Sequence, residues 1–437
     1  MGLWASPRAW AFVGALSTRG AGFVASFSLA RFAGSTPLAL YLATVVAASV
    51  VSTPLAQVLF NGGLLSATSA PTAAWARGLF RVVLGMAVLG ALPLVLIFVA
   101  MHSQVVNEAS QLAARDVAWL WVAGVGAVCG QVLTQALTGL LNGLGAQLPT
   151  ARVTACLSTL LMPLSVPAVW WLGLQGAWIM LLLSSWLPVL VLGALVLRWL
   201  QRGWRAVEAS VCPDASEAPV AIEADGPAQA MWQQVRSGWP NAVALMAAGA
   251  AGWLCSIYLV QRHQGAAGVA VLGVATQWMT LILMPATSWG GVVLRELAEA
   301  RLRSDARSAL GPTLRRLMLR NVLVTLAVAA VVLAASGWLE RAYRLDGAGL
   351  PALLGVSVLA SLVLSANGVL ERALITWDRQ WALMLISFAG LSAQVACTVI
   401  WVERSVQAVQ WGLMLSAIVS SGLMLRALAR LREGGRA

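Results

Sequence analysis

The sequence has few charged residues and contains no lysine. Only 10% of its 437 residues are charged, whereas a soluble domain carries about a quarter. All 28 basic residues are arginine, against 16 acidic residues, and 60% of the chain is hydrophobic. Apolar runs of about 20 residues, the length that a helix needs to cross a bilayer, recur along the whole chain. This composition excludes a soluble globular protein and indicates a polytopic membrane protein.

Residue types that bind metals or form disulfides are scarce. The chain has five cysteines, none of them in a C-x-x-C pair, and its two histidines, His102 and His263, are far apart. We therefore expect no metal site, no cofactor and no disulfide framework. The net charge of +12 does not indicate a nucleic-acid partner, because the arginines flank apolar spans, where the positive-inside rule explains them.

The hydropathy pattern predicts an all-α fold with about twelve transmembrane helices. The predicted spans are residues 9–33, 38–64, 79–101, 117–142, 152–173, 175–198, 238–260, 267–294, 318–339, 349–371, 380–402 and 405–428.

The arginines predict the orientation of these spans. With the N-terminus in the cytoplasm, the inner loops and tails hold 21 arginines and the outer loops hold six. A missed or an additional span would destroy this alternation. The pattern therefore predicts that the N-terminus and the C-terminus lie on the cytoplasmic side of the membrane.

A polar stretch divides the chain into two halves. Residues 199–237 include "VCPDASEAPVAIEADGPAQA", which has the composition of a linker. We therefore predict an N-terminal six-helix bundle at 1–198, a cytoplasmic linker at 199–237 and a C-terminal six-helix bundle at 238–437. The loop at 295–317 is charged and indicates an inner helix or hairpin.

The two halves resemble each other weakly. At a constant shift of 231, three identities align: Arg31 with Arg262, Gly34 with Gly265 and Pro54 with Pro285. Each half has an even number of predicted spans, so both halves enter and leave on the same side. The repeat is therefore parallel, about an axis along the membrane normal, and such proteins place their substrate path between the halves.

Several predicted spans carry polar side chains at helical spacing. On span 4, steps of three and four place Gln131, Thr134, Gln135, Thr138 and Asn142 on one stripe. Such residues either line a cavity or form hydrogen bonds between helices, each worth about 0.6 kcal/mol. The candidate substrate-binding residues are Arg19, Gln57, Asn61, Gln131, Gln135, Asn142 and Gln277.

Arg19 is a charge near the middle of the first predicted span. It lies eleven residues after Arg8, which is about 16 Å along a helix and half of a hydrocarbon core of about 30 Å. A charge at that depth costs from about 2.5 to over 10 kcal/mol. No carboxylate lies at the middle of a predicted span to pair with it. Three alternatives remain open: the side chain reaches toward an interface, helix C-termini or amide oxygens such as Gln131 or Gln135 satisfy it, or it faces a wet cavity, where it suits a phosphate.

Two short stretches resemble a known family. In "ASFSLARFAGSTPLALYLA" (25–43), a small-to-aliphatic run is followed by Leu-Ala-Arg at 29–31, by Gly34 and by a Leu-Tyr pair at 40–41, although Ala39 replaces the usual glycine. "GVLERALITWDRQ" (368–380) is similar to the exit of the tenth span of that family. The chain thus resembles the polysaccharide (O-antigen type) flippases of the multidrug, oligosaccharidyl-lipid and polysaccharide exporter superfamily.

The resemblance implies two six-helix bundles around a central cavity. It implies that the protein moves an undecaprenyl-diphosphate-linked oligosaccharide from the inner to the outer leaflet of a bacterial inner membrane by alternating access. It also implies a transporter that is not an enzyme, a monomer in the bilayer, and a role beside the polysaccharide polymerase machinery. A cationic cavity, common in the family, would suit Arg19.

Two alternative functions remain. A multidrug exporter of the same superfamily would share the twelve spans, but it usually needs a carboxylate at mid-membrane. A membrane polymerase or ligase of polyprenyl-linked glycans would need an outer loop with catalytic residues. The longest predicted outer loop, about 102–116, is short for an active site.

Overall fold

The computed structural model describes most of the chain. The described residues are 7–68, 73–108, 114–210, 226–259, 265–289, 293, 296–297, 300–301, 306–345, 347, 349–377, 379–403 and 405–433.

The described residues form thirteen α-helices and contain no strand. The helices are α1 (Pro7–Phe32), α2 (Ser35–Thr68), α3 (Ala73–Glu108), α4 (Ala114–Gly143), α5 (Gln147–Leu172), α6 (Leu174–Ser210), α7 (Pro227–Leu259), α8 (Gly265–Ser288), α9 (Ala306–Ala334), α10 (Ser336–Ala342), α11 (Leu350–Thr376), α12 (Gln380–Trp401) and α13 (Ala408–Glu433).

Ten of these helices are long and apolar enough to cross a membrane. They coincide with ten of the twelve predicted spans, and the all-α polytopic fold class is confirmed. The other two predicted spans, 9–33 and 238–260, form α1 and α7, which have 26 and 33 residues. They are not among the ten. The sequence of α1 contains three arginines, and α7 begins in a polar stretch.

Several helices extend beyond the predicted spans. α6 continues to Ser210 and α7 begins at Pro227, so both ends of the predicted linker are helical, while residues 211–225 lie outside the described part. Residues 306–317 of the predicted charged loop form the first turns of α9. α11 continues to Thr376, which places Glu371 inside a membrane-spanning helix rather than at its end.

Helices α2, α4 and α6 run parallel to one another. The Ser52 hydroxyl contacts Gln131 of α4, a Cβ at Gly139 would meet Phe60, and one at Gly143 would meet Leu64. The partners in all three pairs are 79 positions apart, which is the register of parallel helices. On its other side α4 packs against α6, since the Trp186 indole donates to the Gly126 carbonyl at 3.0 Å and the Trp199 indole to the Leu144 carbonyl at 3.2 Å. These three helices therefore cross in one direction, as the alternation of spans requires.

Gly139 allows the close contact between α2 and α4. A Cβ at this position would lie 2.3 Å from the Phe60 carbonyl oxygen and 2.7 Å from its Cα, and backbone atoms cannot rotate away. We expect Gly139→Ala to lower the stability of the protein by about 1–3 kcal/mol, measured as a lower melting temperature in detergent. Gly193→Ala in α6 is the matched control, because no atom lies within 4 Å of its Cβ. An equal melting temperature for the two variants would contradict this packing.

The described residues group into two compact units. The first draws on Met1–Ala21, Ala47–Leu164 and Trp178–Ala242, and the second on Gly22–Val46, Ser165–Ala177 and Val243–Ala437. Both α1 and α2 are thus shared between the units. The apolar core of the second unit packs residues of α9, α11, α12 and α13, among them Leu317, Leu370 and Met424. The predicted linker at 199–237 divides the chain by position in the sequence, whereas the two units are defined by contacts. The predicted division therefore stays a prediction.

Helices α2 and α8 share two features that the predicted repeat requires. α2 begins at Ser35 and α8 at Gly265, and each contains a buried proline, Pro54 and Pro285, at the predicted shift of 231. Arg262, the partner of Arg31 in the repeat, lies outside the described residues.

Candidate functional site

The exposed side of α2 is polar. From Pro37 to Leu64 the exposed side chains are Thr53, Gln57 and Asn61, and 61% of its most apolar window is buried. These three positions are four residues apart, so they lie on one face of the helix. The exposed face of this membrane-spanning helix therefore presents hydroxyl and amide groups.

The neighbouring helix α4 continues this surface. Between Ala123 and Leu144 its one exposed side chain is Gln135. In the register of the two helices, Gln135 lies opposite Ala56, next to Gln57. We call Thr53, Gln57, Asn61 and Gln135 the polar strip.

The polar strip differs from the surfaces that face lipid. On α3, Leu89, Leu92 and Leu96 are 69%, 60% and 71% exposed, as expected for side chains in contact with acyl chains. An amide in hydrocarbon without a hydrogen-bond partner costs about 2–7 kcal/mol. The polar strip is therefore best satisfied by water or by a polar ligand.

The groups of the polar strip keep hydrogen-bonding capacity. Gln57 Nε2 donates to Asn61 Oδ1 at 3.4 Å, and the Thr53 hydroxyl donates to the Ser49 carbonyl at 2.6 Å. Among the described residues no further partner is found for Gln57 Oε1 or Asn61 Nδ2. An amide presents both donors and an acceptor, which is the chemistry that recognises hydroxyl-rich ligands.

The remaining predicted site residues of span 4 have other environments. Gln131 is half-buried and accepts a hydrogen bond from the Ser52 hydroxyl at 2.6 Å, which joins α4 to α2. The Thr134 hydroxyl donates to the Ser185 carbonyl of α6 at 3.3 Å. Asn142 is half-buried near the end of α4. Within the predicted stripe, Gln131 and Thr134 therefore join α4 to its neighbours, and Gln135 is the exposed member.

Gln277 lies in the second unit, in a contact between α1 and α8. Its Oε1 accepts a hydrogen bond from the Ser26 hydroxyl at 2.9 Å. Phe23 packs edge-on against Trp278, with ring centroids 4.9 Å apart, and Phe27 packs against Tyr343 at 5.7 Å. We call this group the α1–α8 cluster; it consists of Phe23, Ser26, Phe27, Gln277, Trp278 and Tyr343.

The α1–α8 cluster is a tightly packed contact. A Cβ at Gly273 of α8 would lie 2.7 Å from a methyl carbon of Leu42, so α2 also reaches α8 here. Burial raises the pKa of Tyr343 to about 12, which keeps its hydroxyl neutral at physiological pH. The sequence did not indicate this cluster, because its contacting residues are between 251 and 316 positions apart and no local pattern joins them.

The polar residues of α11 do not extend the site. Ser357, Ser361, Ser365 and Asn367 are buried. Asn367 Nδ2 donates to the Ala417 carbonyl at 2.8 Å, which joins α11 to α13, whereas the three serine hydroxyls donate to carbonyls of α11 itself. Among the described residues no group of three or more His, Cys, Asp or Glu could hold a metal ion.

Arg19 lies in α1, but its side chain is outside the described part of the structure. Its predicted role in binding an anion stays a prediction.

The architecture is similar to solved membrane transporters. A mutant of the Vibrio cholerae MATE transporter VcmN matches with a TM-score of 0.67 and 14% identity over 99% of this chain and 96% of its own. An inward-facing multidrug resistance MATE family transporter of the MOP superfamily matches with a TM-score of 0.66 and 13% identity, covering 98% of this chain and 95% of its own. A MOP superfamily transporter from Pyrococcus furiosus, whose binding pocket has reverse polarity that suggests a different function, matches with a TM-score of 0.65 and 13% identity over 98% of this chain and 97% of its own.

No protein-family model and no curated protein matches the chain. At these low identities the similarity establishes the fold, which is that of the MATE transporters of the MOP superfamily.

Proposed function

We propose that the protein moves a polyprenyl-diphosphate-linked oligosaccharide from the inner to the outer leaflet of the bacterial inner membrane by alternating access. The polar strip carries this proposal. In a chain with the fold of a transporter, it places neutral amides and a hydroxyl on the exposed face of membrane-spanning helices. The transported molecule would serve the synthesis of a cell-surface polysaccharide.

Neutral amides suit an oligosaccharide. Each sugar hydroxyl both donates and accepts, and the side chains of Gln57, Asn61 and Gln135 do the same. A typical hydrogen bond contributes only about 0.5–1.5 kcal/mol net, because water competes for both partners. Such contacts hold a glycan briefly and release it, as transport requires.

Arg19 is proposed to attract the diphosphate. A guanidinium donates two parallel hydrogen bonds to a phosphate and stays charged at all physiological pH values. The half-membrane depth predicted for this residue matches the path of a headgroup that crosses the bilayer. The reaction makes and breaks no covalent bond, so the proposed protein is a transporter without catalytic residues or a cofactor.

The proposed location is the inner membrane, with the N-terminus and the C-terminus in the cytoplasm. The excess of arginine on the predicted inner side, 21 against six, supports this orientation. The proposed partners are the lipid-linked glycan, the bilayer and the polymerase machinery that receives the glycan, with the protein acting as a monomer.

The proposal is tested by measuring movement of a lipid-linked glycan between leaflets. The purified protein is placed in vesicles with a polyprenyl-diphosphate oligosaccharide that carries a fluorophore on its sugar, and an impermeant reductant quenches the outer leaflet. We expect the double variant Gln57→Leu, Asn61→Leu to move the glycan about tenfold more slowly, because two hydrogen bonds worth about 0.5–1.5 kcal/mol each are lost. Leu92→Ala on the apolar face of α3 is the control and keeps the full rate. Equal rates of glycan movement for the wild-type protein and the double variant would refute the role of the polar strip.

A multidrug exporter is the second candidate. The chain has the same fold as the inward-facing multidrug resistance transporter described above. In addition, Glu371 supplies a carboxylate within a membrane-spanning helix, five residues before the end of α11. The same vesicles distinguish the candidates when the glycan is replaced by a fluorescent cationic drug under an imposed proton or sodium gradient. Accumulation of the drug without glycan movement would favour the exporter.

A further inference from the structure

Helix α9 has two opposite faces. Leu310, Leu314 and Leu317 are at most 8% exposed and pack into the core of the second unit. On the other face Leu319, Leu323 and Leu326 are 57%, 54% and 47% exposed. This second face is therefore turned toward lipid.

Two exposed arginines, Arg315 and Arg316, lie directly before the lipid-facing leucines in α9. The membrane-spanning part of α9 is Leu310–Ala334, which has 25 residues. A hydrocarbon core needs only about 20 residues of helix, so Arg315 and Arg316 lie at the boundary between acyl chains and headgroups. Leu319 is one helical turn deeper, directly beyond Arg315.

The charge at this boundary is positive. Arg316 Nη2 pairs with Glu296 Oε2 at 2.9 Å, and Arg320 Nη1 lies 3.7 Å from Glu296 Oε1. The Arg320 guanidinium also lies 4.8 Å from the centre of the Trp289 ring, which holds it in place. Glu296 thus pairs with two guanidinium groups, and Arg315 has no ion-pair partner among the described residues.

A pocket opens beside these arginines. It has a volume of about 690 Å³ and is lined by Gly311, Pro312, Arg315, Arg316 and Leu319. Among the described residues, the lining combines cationic donors with apolar carbon and contains no amide or hydroxyl side chain. It therefore suits a phosphate with an attached acyl chain better than it suits a sugar.

We propose that this surface binds an anionic glycerophospholipid. The lipid phosphate lies between Arg315 and Arg316, and one acyl chain follows Leu319, Leu323 and Leu326 into the bilayer. The arginine count predicts that the site is in the cytoplasmic leaflet. Arg315 supplies charge that Glu296 does not neutralise, and Arg316 supplies donors whose position its ion pair fixes. The inference does not depend on which substrate the protein transports.

The test measures lipid binding to the purified full chain by native mass spectrometry. The probes are phosphatidylglycerol, phosphatidylcholine and a polyprenyl diphosphate, each added in turn at equal concentration. We expect phosphatidylglycerol to bind at least about fivefold better than phosphatidylcholine, because only the former carries a net negative charge, and anionic lipid gains about 1 kcal/mol per arginine near the surface. Arg315→Gln removes an exposed side chain without breaking an ion pair, and it is expected to abolish most of this preference.

Two further variants make the result specific. Arg426→Gln removes an exposed arginine of α13 on the same predicted side and is expected to leave the preference unchanged. Arg315→Lys is expected to keep part of it, since the charge remains while the paired donors are lost. Equal binding of the two phospholipids, an unchanged preference in Arg315→Gln, or selective binding of the polyprenyl diphosphate alone would each overturn the proposal.

Discussion

Oxidation of a Leu42→Cys, Gly273→Cys double variant is expected to stop transport. A Cβ built at Gly273 lies 3.1 Å from the Leu42 Cβ, and a disulfide needs about 3.5–4.5 Å, so a shift of a few tenths of an ångström is sufficient. The bond would tie α2 to α8 beside the α1–α8 cluster. If this contact must open in each transport cycle, the oxidised protein moves substrate roughly tenfold more slowly or not at all.

The measurement uses a background in which the five native cysteines are replaced. Transport is compared before oxidation, after oxidation and after reduction. Gel mobility measures the extent of cross-linking at each stage. We expect the reductant to restore the original rate, because the bond is the only change.

A second cysteine pair controls for cross-linking itself. A Cβ at Gly14 of α1 lies 3.6 Å from the Ala155 Cβ of α5, in a contact that involves neither α2 nor α8. The Gly14→Cys, Ala155→Cys variant is expected to cross-link and to transport normally. Full transport by the oxidised Leu42–Gly273 pair would show that α2 and α8 stay together throughout the cycle.

Replacing Arg19 by alanine is expected to abolish glycan export while the protein still reaches the membrane. The proposed reason is that Arg19 attracts the diphosphate at a depth where a charge costs at least about 2.5 kcal/mol and therefore needs a function or a partner. Arg19→Lys is expected to retain part of the activity, since the charge survives but the two parallel donors do not.

The comparison must be made at matched protein levels in the membrane. Normal export by Arg19→Ala would make the arginine dispensable for transport. Loss of the protein from the membrane would instead assign it a structural role, with amides or helix ends as its partners. Export and abundance measured together therefore separate these two readings.

The polar residues show that helical periodicity predicts which residues share a face but not which of them contact a neighbouring helix. Gln57 and Asn61 were predicted as binding residues and are four positions apart, and they share a face because the period of 3.6 residues is a local property of the chain. The same spacing placed Gln131 and Gln135 on one stripe, yet Gln131 joins α4 to α2 while Gln135 is exposed. Which edge of a stripe meets a neighbouring helix depends on glycine contacts such as Gly139 with Phe60.

The sequence by itself determined that the chain is an all-α membrane protein and where ten of its spans lie. Hydrophobicity acts on each segment separately, so a bilayer selects these spans without reference to the rest of the chain. It did not determine that Ser26 bonds Gln277, 251 positions away, or that Arg316 pairs with Glu296 while Arg315 has no ion-pair partner among the described residues. These arrangements arise only when helices pack, because the partner of a side chain is then set by the neighbouring helix rather than by the neighbouring residue.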